Sequence, residues 1–146
     1  MAQSEKLTSV KEATLDDLKE ILRLIELFHD EAIKEITFSR PYVLAYVVKL
    51  IQSPFAVILL TKGGLIAGTI DSSMFNGKLY ACEKMWYVDK EHRGSTGIRL
   101  LKAFEKWAKK MKVVAIEMAA LVMDIDKLYK RMGYKKLETH YLKEVK

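Results

Sequence analysis

Two glycine-bearing dipeptides, Gly63-Gly64 and Asn76-Gly77, divide residues 55–89 into three runs rich in β-branched, aromatic and aliphatic side chains. Such dipeptides supply the positive φ angles of a two-residue hairpin, and each run has the length of a strand. The runs 55–61, 65–73 and 79–89 therefore predict a three-stranded antiparallel meander. Everything else in the chain has to be arranged around that sheet.

Two helical patterns precede the meander. Thr14 is placed to cap a helix from Leu15 to about Ala32, with Asp16 and Asp17 in its first turn and Leu18, Ile21, Leu22, Ile25 and Phe28 on its core face. Ser39 and Pro41 open a second helix that runs to Ser53-Pro54. After the meander, Thr96 is the expected cap of a third helix, whose Ile98, Leu101, Phe104, Trp107, Ala108 and Met111 form an apolar stripe. Residues 113–118 read as a strand. Asp124 caps a short helix that Gly133 closes, and residues 134–145 read as a last extended segment. With a short strand at 7–12, the order is β-α-α-β-β-β-α-β-α-β. That is a mixed α+β fold with helices on both faces of one sheet.

At 146 residues the chain is expected to be one domain, residues 1–146, large enough to bury a core without staples. Its single cysteine, Cys82, fits a reducing compartment. The best apolar run, 55–60, is too short to span a bilayer, and the first ten residues lack the apolar stretch of a secretion signal. The expected location is cytoplasmic, with no membrane partner. Charge is uneven. Residues 1–89 hold 10 Lys/Arg against 12 Asp/Glu, while residues 90–146 hold 15 against 7. The basic half is either a solvated surface or an attraction for a polyanionic ligand. Nucleic acid is disfavoured, because Phe104 and Trp107 fall on the buried stripe instead of standing among the basic residues.

The stretch WYVDKEHRGSTGIRLL, residues 86–101, joins the meander to the third helix. An apolar strand end passes through a charged turn into a glycine-bearing loop that opens an amphipathic helix. Free backbone N–H groups, the positive end of a helix dipole and Arg93 converge there, an arrangement that binds phosphate.

That stretch, with LYKRMGY at residues 128–134 and the order of elements, resembles the GNAT family of acetyl-CoA-dependent N-acetyltransferases. The size and the short C-terminal strand resemble the compact members carried by bacteriophages and bacteria. The resemblance implies a mostly antiparallel sheet of six to seven strands, splayed between the strand ending near Val88 and the one starting near Val113. It also implies acetyl-CoA as cosubstrate and no metal. Arg93, Gly94, Ser95, Thr96, Gly97 and Ile98 would cradle the pyrophosphate. The end of the strand, Trp86, Tyr87 and Val88, would pair with the pantetheine arm as a partial strand. Two departures stand out. The family writes this loop as Arg/Gln-x-x-Gly-x-Gly/Ala, but the fourth and sixth places counted from Arg93 are Thr96 and Ile98. Many relatives also have an asparagine seven residues before the tyrosine, where this chain has Val122.

Amide formation from a thioester needs a neutral amine, a stabilised oxyanion and a proton for the leaving thiolate. A lysine-like amine has a pKa of about 10.4, so a base has to take its proton at neutral pH. Tyr129 in LYKRMGY matches the family's tyrosine that donates to the sulfur; as plain structure it is an aromatic anchor for a short helix. Glu83 is the first choice of base. It sits mid-strand in an apolar run, where an ionised carboxylate is costly without a partner or a task. Glu117 on the following strand raises the same question, and with splayed strands both could look into one cavity. His140 in the terminal segment is a third option. His92 reads as exposed loop, and the three histidines show no metal-ligand spacing. Cys82 reads as a small buried side chain.

The resemblance places the acceptor between the first two helices, over residues 30–42, with Phe38 and Tyr42 beside the acids Glu31 and Glu35. The expected function is acetyl transfer from acetyl-CoA to a primary amine, on a small molecule or a protein, by direct attack. The alternative is a catalytically silent module of the same shape that acts on a protein or nucleic-acid partner. Pairing of two copies into a homodimer through sheet edges is left open.

Overall fold

The computed structural model describes residues 9–120 and 125–145. Strand β1 (Lys11–Glu12) leads through a 3₁₀ turn (Leu15–Asp17) into α1 (Leu18–Ala32), and α2 (Arg40–Gln52) follows. The meander is β2 (Ala56–Thr61), β3 (Gly64–Ser72) and β4 (Leu79–Val88). Helix α3 (Ser95–Lys110), strand β5 (Ala115–Glu117) and helix α4 (Ile125–Arg131) complete the elements. Among the described residues the sheet has five strands in the order β1-β2-β3-β4-β5. All neighbours are antiparallel except β4 and β5, which run parallel.

Local chemistry explains the helix starts. Thr14 and Asp17 form a reciprocal capping box: the Asp17 carboxylate accepts from the Thr14 backbone N–H at 2.8 Å. Ser39 precedes α2 with Pro41 in its first turn, where a missing N–H costs nothing.

The sheet separates two cores. On one face α1 and α2 bring Ile21, Leu24, Val47 and Leu50 against Ile58, Leu60, Leu65, Ala67 and Tyr87. On the other, α3 packs Leu100, Leu101, Phe104, Trp107 and Ala108 against Val57, Leu59, Ile66 and Ala81, with Tyr129 from α4. Strand β2 contributes alternately to both, which is why its sequence is continuously apolar.

Four expectations change. The first hairpin turn is Lys62-Gly63, because Gly64 already pairs with Thr61 in the ladder, and Asn76-Gly77 lies within the longer connection over residues 73–78. Five strands form among the described residues, not six or seven. Residues 134–145 join no ladder, and Leu137, Tyr141, Leu142 and Val145 are exposed; the apolar alternation there is too sparse to fix a register against the sheet. The cap of α3 is Gly94, not Thr96, because the helix begins one residue before Thr96 and takes it into the first turn. The starting residues of the first strand, Leu7 and Thr8, lie outside the described residues, as do Val122 and Asp124.

Gly68 lies opposite Glu83 across β3 and β4. A Cβ there would stand 2.4 Å from Phe104 and 2.9 Å from the Cys82 carbonyl oxygen. Phe104 is fully buried and cannot move aside cheaply. Gly68→Ala is expected to destabilise the fold by about 1–3 kcal/mol, read as a lower urea midpoint with an unchanged m-value.

Candidate active site

The site is organised by an irregularity in β4. Its register against β3 passes from Ala67↔Met85 to Gly68↔Glu83, so Lys84 is one residue too many for its partner strand. In a regular strand, residues three apart face opposite ways. The extra residue cancels that rule. Glu83 and Trp86 both meet Tyr129: Trp86 through a ring contact at 6.0 Å, Glu83 through the influence of its charge on the hydroxyl.

At the same place β4 loses its other neighbour. Strand β5 pairs only Ala115, Ile116 and Glu117, opposite Tyr80, Ala81 and Cys82. From Glu83 to Val88 no described strand lies on that side, so the backbone there presents hydrogen-bonding groups to whatever enters the gap. This is the expected splay, and its apex is Glu83.

Burial dominates the Glu83 carboxyl. Its pKa is pushed up from 4.5 to about 7, opposed only by the neighbouring charge of Lys84. Near neutrality the group is thus able to take and release a proton. Tyr129 is held well above the ordinary tyrosine range, first by burial and then by the nearby charge of Glu83. Its hydroxyl keeps its proton and donates to the Ala119 carbonyl at 2.6 Å, just past the end of β5. Tyr134 packs on the Tyr129 ring at 5.4 Å and donates to Glu105 at 3.2 Å, so it serves as support.

The loop after β4 is tied down at both ends. Asp89 is buried and accepts from the His92 backbone N–H (3.1 Å), the His92 ring (2.6 Å) and Arg23 (3.3 Å), while its own N–H donates to the Gly63 carbonyl. Burial would raise the Asp89 pKa, but His92 and Arg23 outweigh it and hold the carboxyl low. His92 is therefore a structural bridge over the β2–β3 hairpin, not exposed loop. At the far end Arg93 donates from Nε to the Val88 carbonyl (3.0 Å) and from Nη2 to Glu31 (2.7 Å), lying over the Tyr87 ring. Tyr87 donates to the other Glu31 oxygen at 2.8 Å.

The start of α3 leaves backbone donors uncapped. Gly94 adopts φ +122°, open to glycine but strained for other residues, with nothing within 4 Å of where a Cβ would stand. No side chain caps the helix and no acid sits in its first turn, so its first amides are available to an anion. Ser95 is exposed, while Thr96 is buried and accepts from Arg99 at 3.2 Å. Gly97 lies against Trp86, and Ile98 is half-buried.

The acceptor-side residues are less concentrated. Phe38 packs on His29 at 5.2 Å, and His29 also contacts the Ile36 carbonyl, which ties down the α1–α2 connection. Tyr42 is 73% exposed. Glu117 does not share a cavity with Glu83. It pairs with Cys82, one residue earlier, and accepts from the Cys82 thiol at 3.6 Å on the other face of the sheet. Burial, Asp71 and Glu117 push the Cys82 thiol up to about 12, which leaves no thiolate at neutral pH. His140 is exposed beside Glu138. Among the described residues no cluster of His, Cys, Asp and Glu could hold a metal ion, and no helix is long and apolar enough to cross a membrane.

Two networks carried no sequence signal, Arg23–Asp89–His92 and Glu31–Tyr87–Arg93. Their long links join residues 56 to 66 apart, beyond any local pattern.

Comparison with known proteins decides the family. The model of the acetyltransferase (GNAT) family matches residues 17–134. The chain belongs to the GNAT family. That makes it an acyltransferase, of a family that uses acetyl-CoA. No curated protein matches it in sequence. Its fold is similar to an integron cassette protein, HFX_CASS3, from the mobile metagenome of Cole Harbour Salt Marsh (TM-score 0.78, 19% identity, covering 99% of this chain and 95% of that one). It is also similar to aminoglycoside antibiotic 6′-N-acetyltransferase AAC(6′)-IG from Acinetobacter haemolyticus (TM-score 0.70, 20% identity, 94% and 99%). A third similar structure is the aminoglycoside acetyltransferase meta-AAC0020 from an uncultured soil metagenomic sample, in complex with sisomicin (TM-score 0.72, 16% identity, 97% and 99%).

The raised pKa of Glu83 has a consequence for stability. Between about pH 4.5 and 7 the folded chain holds a proton that the unfolded chain releases, so Glu83 makes stability fall as pH rises through that window. Glu83→Gln should match the wild type in stability near pH 4 and exceed it at pH 8, by on the order of 2 kcal/mol. Urea denaturation at both pH values measures the gap; equal gaps would contradict the assignment of a buried, unpaired carboxyl.

Proposed function

We propose that this GNAT protein moves an acetyl group from acetyl-CoA to a primary amine of a small cationic acceptor, by direct attack, with Glu83 as base and Tyr129 as acid. The observation that carries the reading is the meeting of Glu83, Trp86 and Tyr129 at the apex of the gap between β4 and β5.

Acetyl-CoA supplies the activated acyl group. The open backbone of β4 from Glu83 to Val88, including Trp86 and Tyr87, receives the pantetheine arm as a partial strand. The loop from Arg93 through Ile98 and the first amides of α3 receive the diphosphate. Glu83, with a pKa of about 7, takes the proton that the amine loses as its nitrogen bonds to the acetyl carbon. As the carbon–sulfur bond breaks, the Tyr129 hydroxyl turns from Ala119 and gives its proton to the departing sulfur, and the proton held by Glu83 then restores the phenol, so that one proton passes in net from nitrogen to sulfur. Desolvation keeps that hydroxyl protonated until then.

Two observations support a cationic small-molecule acceptor. Asp71 and Glu117 flank Cys82 on the sheet face opposite Glu83, an acidic wall at the other side of the gap. Two of the similar structures are named as aminoglycoside acetyltransferases, one of them for a 6′-amine. Glu35 and the exposed Tyr42, with Phe38 on the α1–α2 connection, are the further residues we assign to the acceptor side.

Incubation with acetyl-CoA and a panel of small amines should release free coenzyme A in step with acetylated product. Absence of release above background with every amine would overturn the reading. Glu83→Gln is expected to lower kcat by roughly 100-fold and to abolish the acidic limb near pH 7; a wild-type rate flat from pH 5.5 to 8.5 would clear Glu83. Tyr129→Phe is expected to lower kcat with little change in acetyl-CoA affinity, at a stability cost of about 1 kcal/mol from the orphaned Ala119 carbonyl. Parallel losses of affinity and rate would make the hydroxyl structural.

A further inference from the structure

The two ends of the β4–α3 loop are held in different ways. Asp89 is buried beneath His92 and Arg23 and is a fixed anchor. The Arg93–Glu31 pair is accessible, with side chains 47% and 33% exposed, and it occupies the one arginine of the loop. Two of the guanidinium's donors are already committed, Nε to the Val88 carbonyl and Nη2 to Glu31. Glu31 in turn is aimed by Tyr87, whose hydroxyl donates to its second oxygen.

We propose that Glu31 is a built-in competitor for the diphosphate of the acyl donor. It holds Arg93 in the empty site, has to surrender it when the nucleotide binds, and so weakens nucleotide affinity. The proposal rests on the reading of the loop as the diphosphate site. Three features of the pair support it. With Nε on the Val88 carbonyl and Nη2 on Glu31, Arg93 cannot present the Nε/Nη2 edge of its fork to a phosphate until Glu31 lets go. An exposed pair opens at low cost, so the exchange is reversible. After the exchange Glu31 stays where Tyr87 holds it, and its negative charge remains beside the incoming polyanion. The consequence is faster release of the spent nucleotide, because Glu31 recaptures Arg93 as the diphosphate leaves. Glu31 thereby sets affinity without touching the reacting atoms.

The test is calorimetric titration of the full chain and of Glu31→Gln with acetyl-CoA and with S-acetylpantetheine, which lacks the diphosphate. Glu31 is exposed and near the helix end, so the variant is expected to fold, and a urea melt verifies this. Glu31→Gln should bind acetyl-CoA roughly two- to fivefold tighter, the range an exposed ion pair commands. Its affinity for S-acetylpantetheine should equal that of the wild type. In an Arg93→Gln background the gain from Glu31→Gln should shrink toward none. Equal or weaker acetyl-CoA binding by Glu31→Gln would overturn the proposal and make the pair a clamp that shapes the loop. A gain shared by S-acetylpantetheine would overturn it as well. If neither protein binds acetyl-CoA, the functional reading itself fails and this proposal with it.

Discussion

One inserted residue in β4 sets the geometry of the candidate site. A strand alternates its side chains, so Glu83 and Trp86 would face opposite ways in a regular ladder. Lys84 breaks the register against β3, and Glu83 then meets Tyr129 within the aromatic, α3-covered half of the molecule. Two further facts depend on that offset. The carboxyl is desolvated, hence titrates near neutrality, and the strand parts from β5 immediately beyond it. Gly68 and Phe104 fill the space opposite, so the irregularity is packed in place.

The loop that follows divides its work between a rigid end and an exchangeable one. Asp89 is buried at the centre of a network that joins α1, the β2–β3 hairpin and the loop, and opening it is costly because the desolvated carboxylate would lose its partners. Arg93 lies near the surface with Glu31, where an ion pair is weakly held. The loop thus combines a backbone held at a buried anchor with an arginine held only at the surface.

Much of the architecture was legible because its causes are local. The Thr14 and Ser39 starts and the apolar stripe of α3 act through neighbouring residues and are seen in the fold, as is the meander, although its turns fall at Lys62-Gly63 and across residues 73–78. Where reading and structure part, the deciding force was not local. Thr96 has the chemistry of a cap, but the helix began at Ser95 and buried it. Residues 134–145 alternate, yet too few of them are apolar to hold a strand. Glu117 and Glu83 looked equivalent as acids in apolar runs. Pairing sent Glu117 to the face of Cys82 and left Glu83 beside Tyr129.

The sequence alone determined the order of elements as far as the last helix and the loop that opens on a helix, because periodicity and turn chemistry are written in adjacent residues, and its motifs carried the resemblance to the family. Tertiary structure decided which acid is desolvated, that Asp89 anchors His92 and Arg23, and that Arg93 is shared with Glu31. Those outcomes depend on burial and on charges brought together from distant positions. A dielectric environment is a property of the packed chain, and no short stretch of residues carries it.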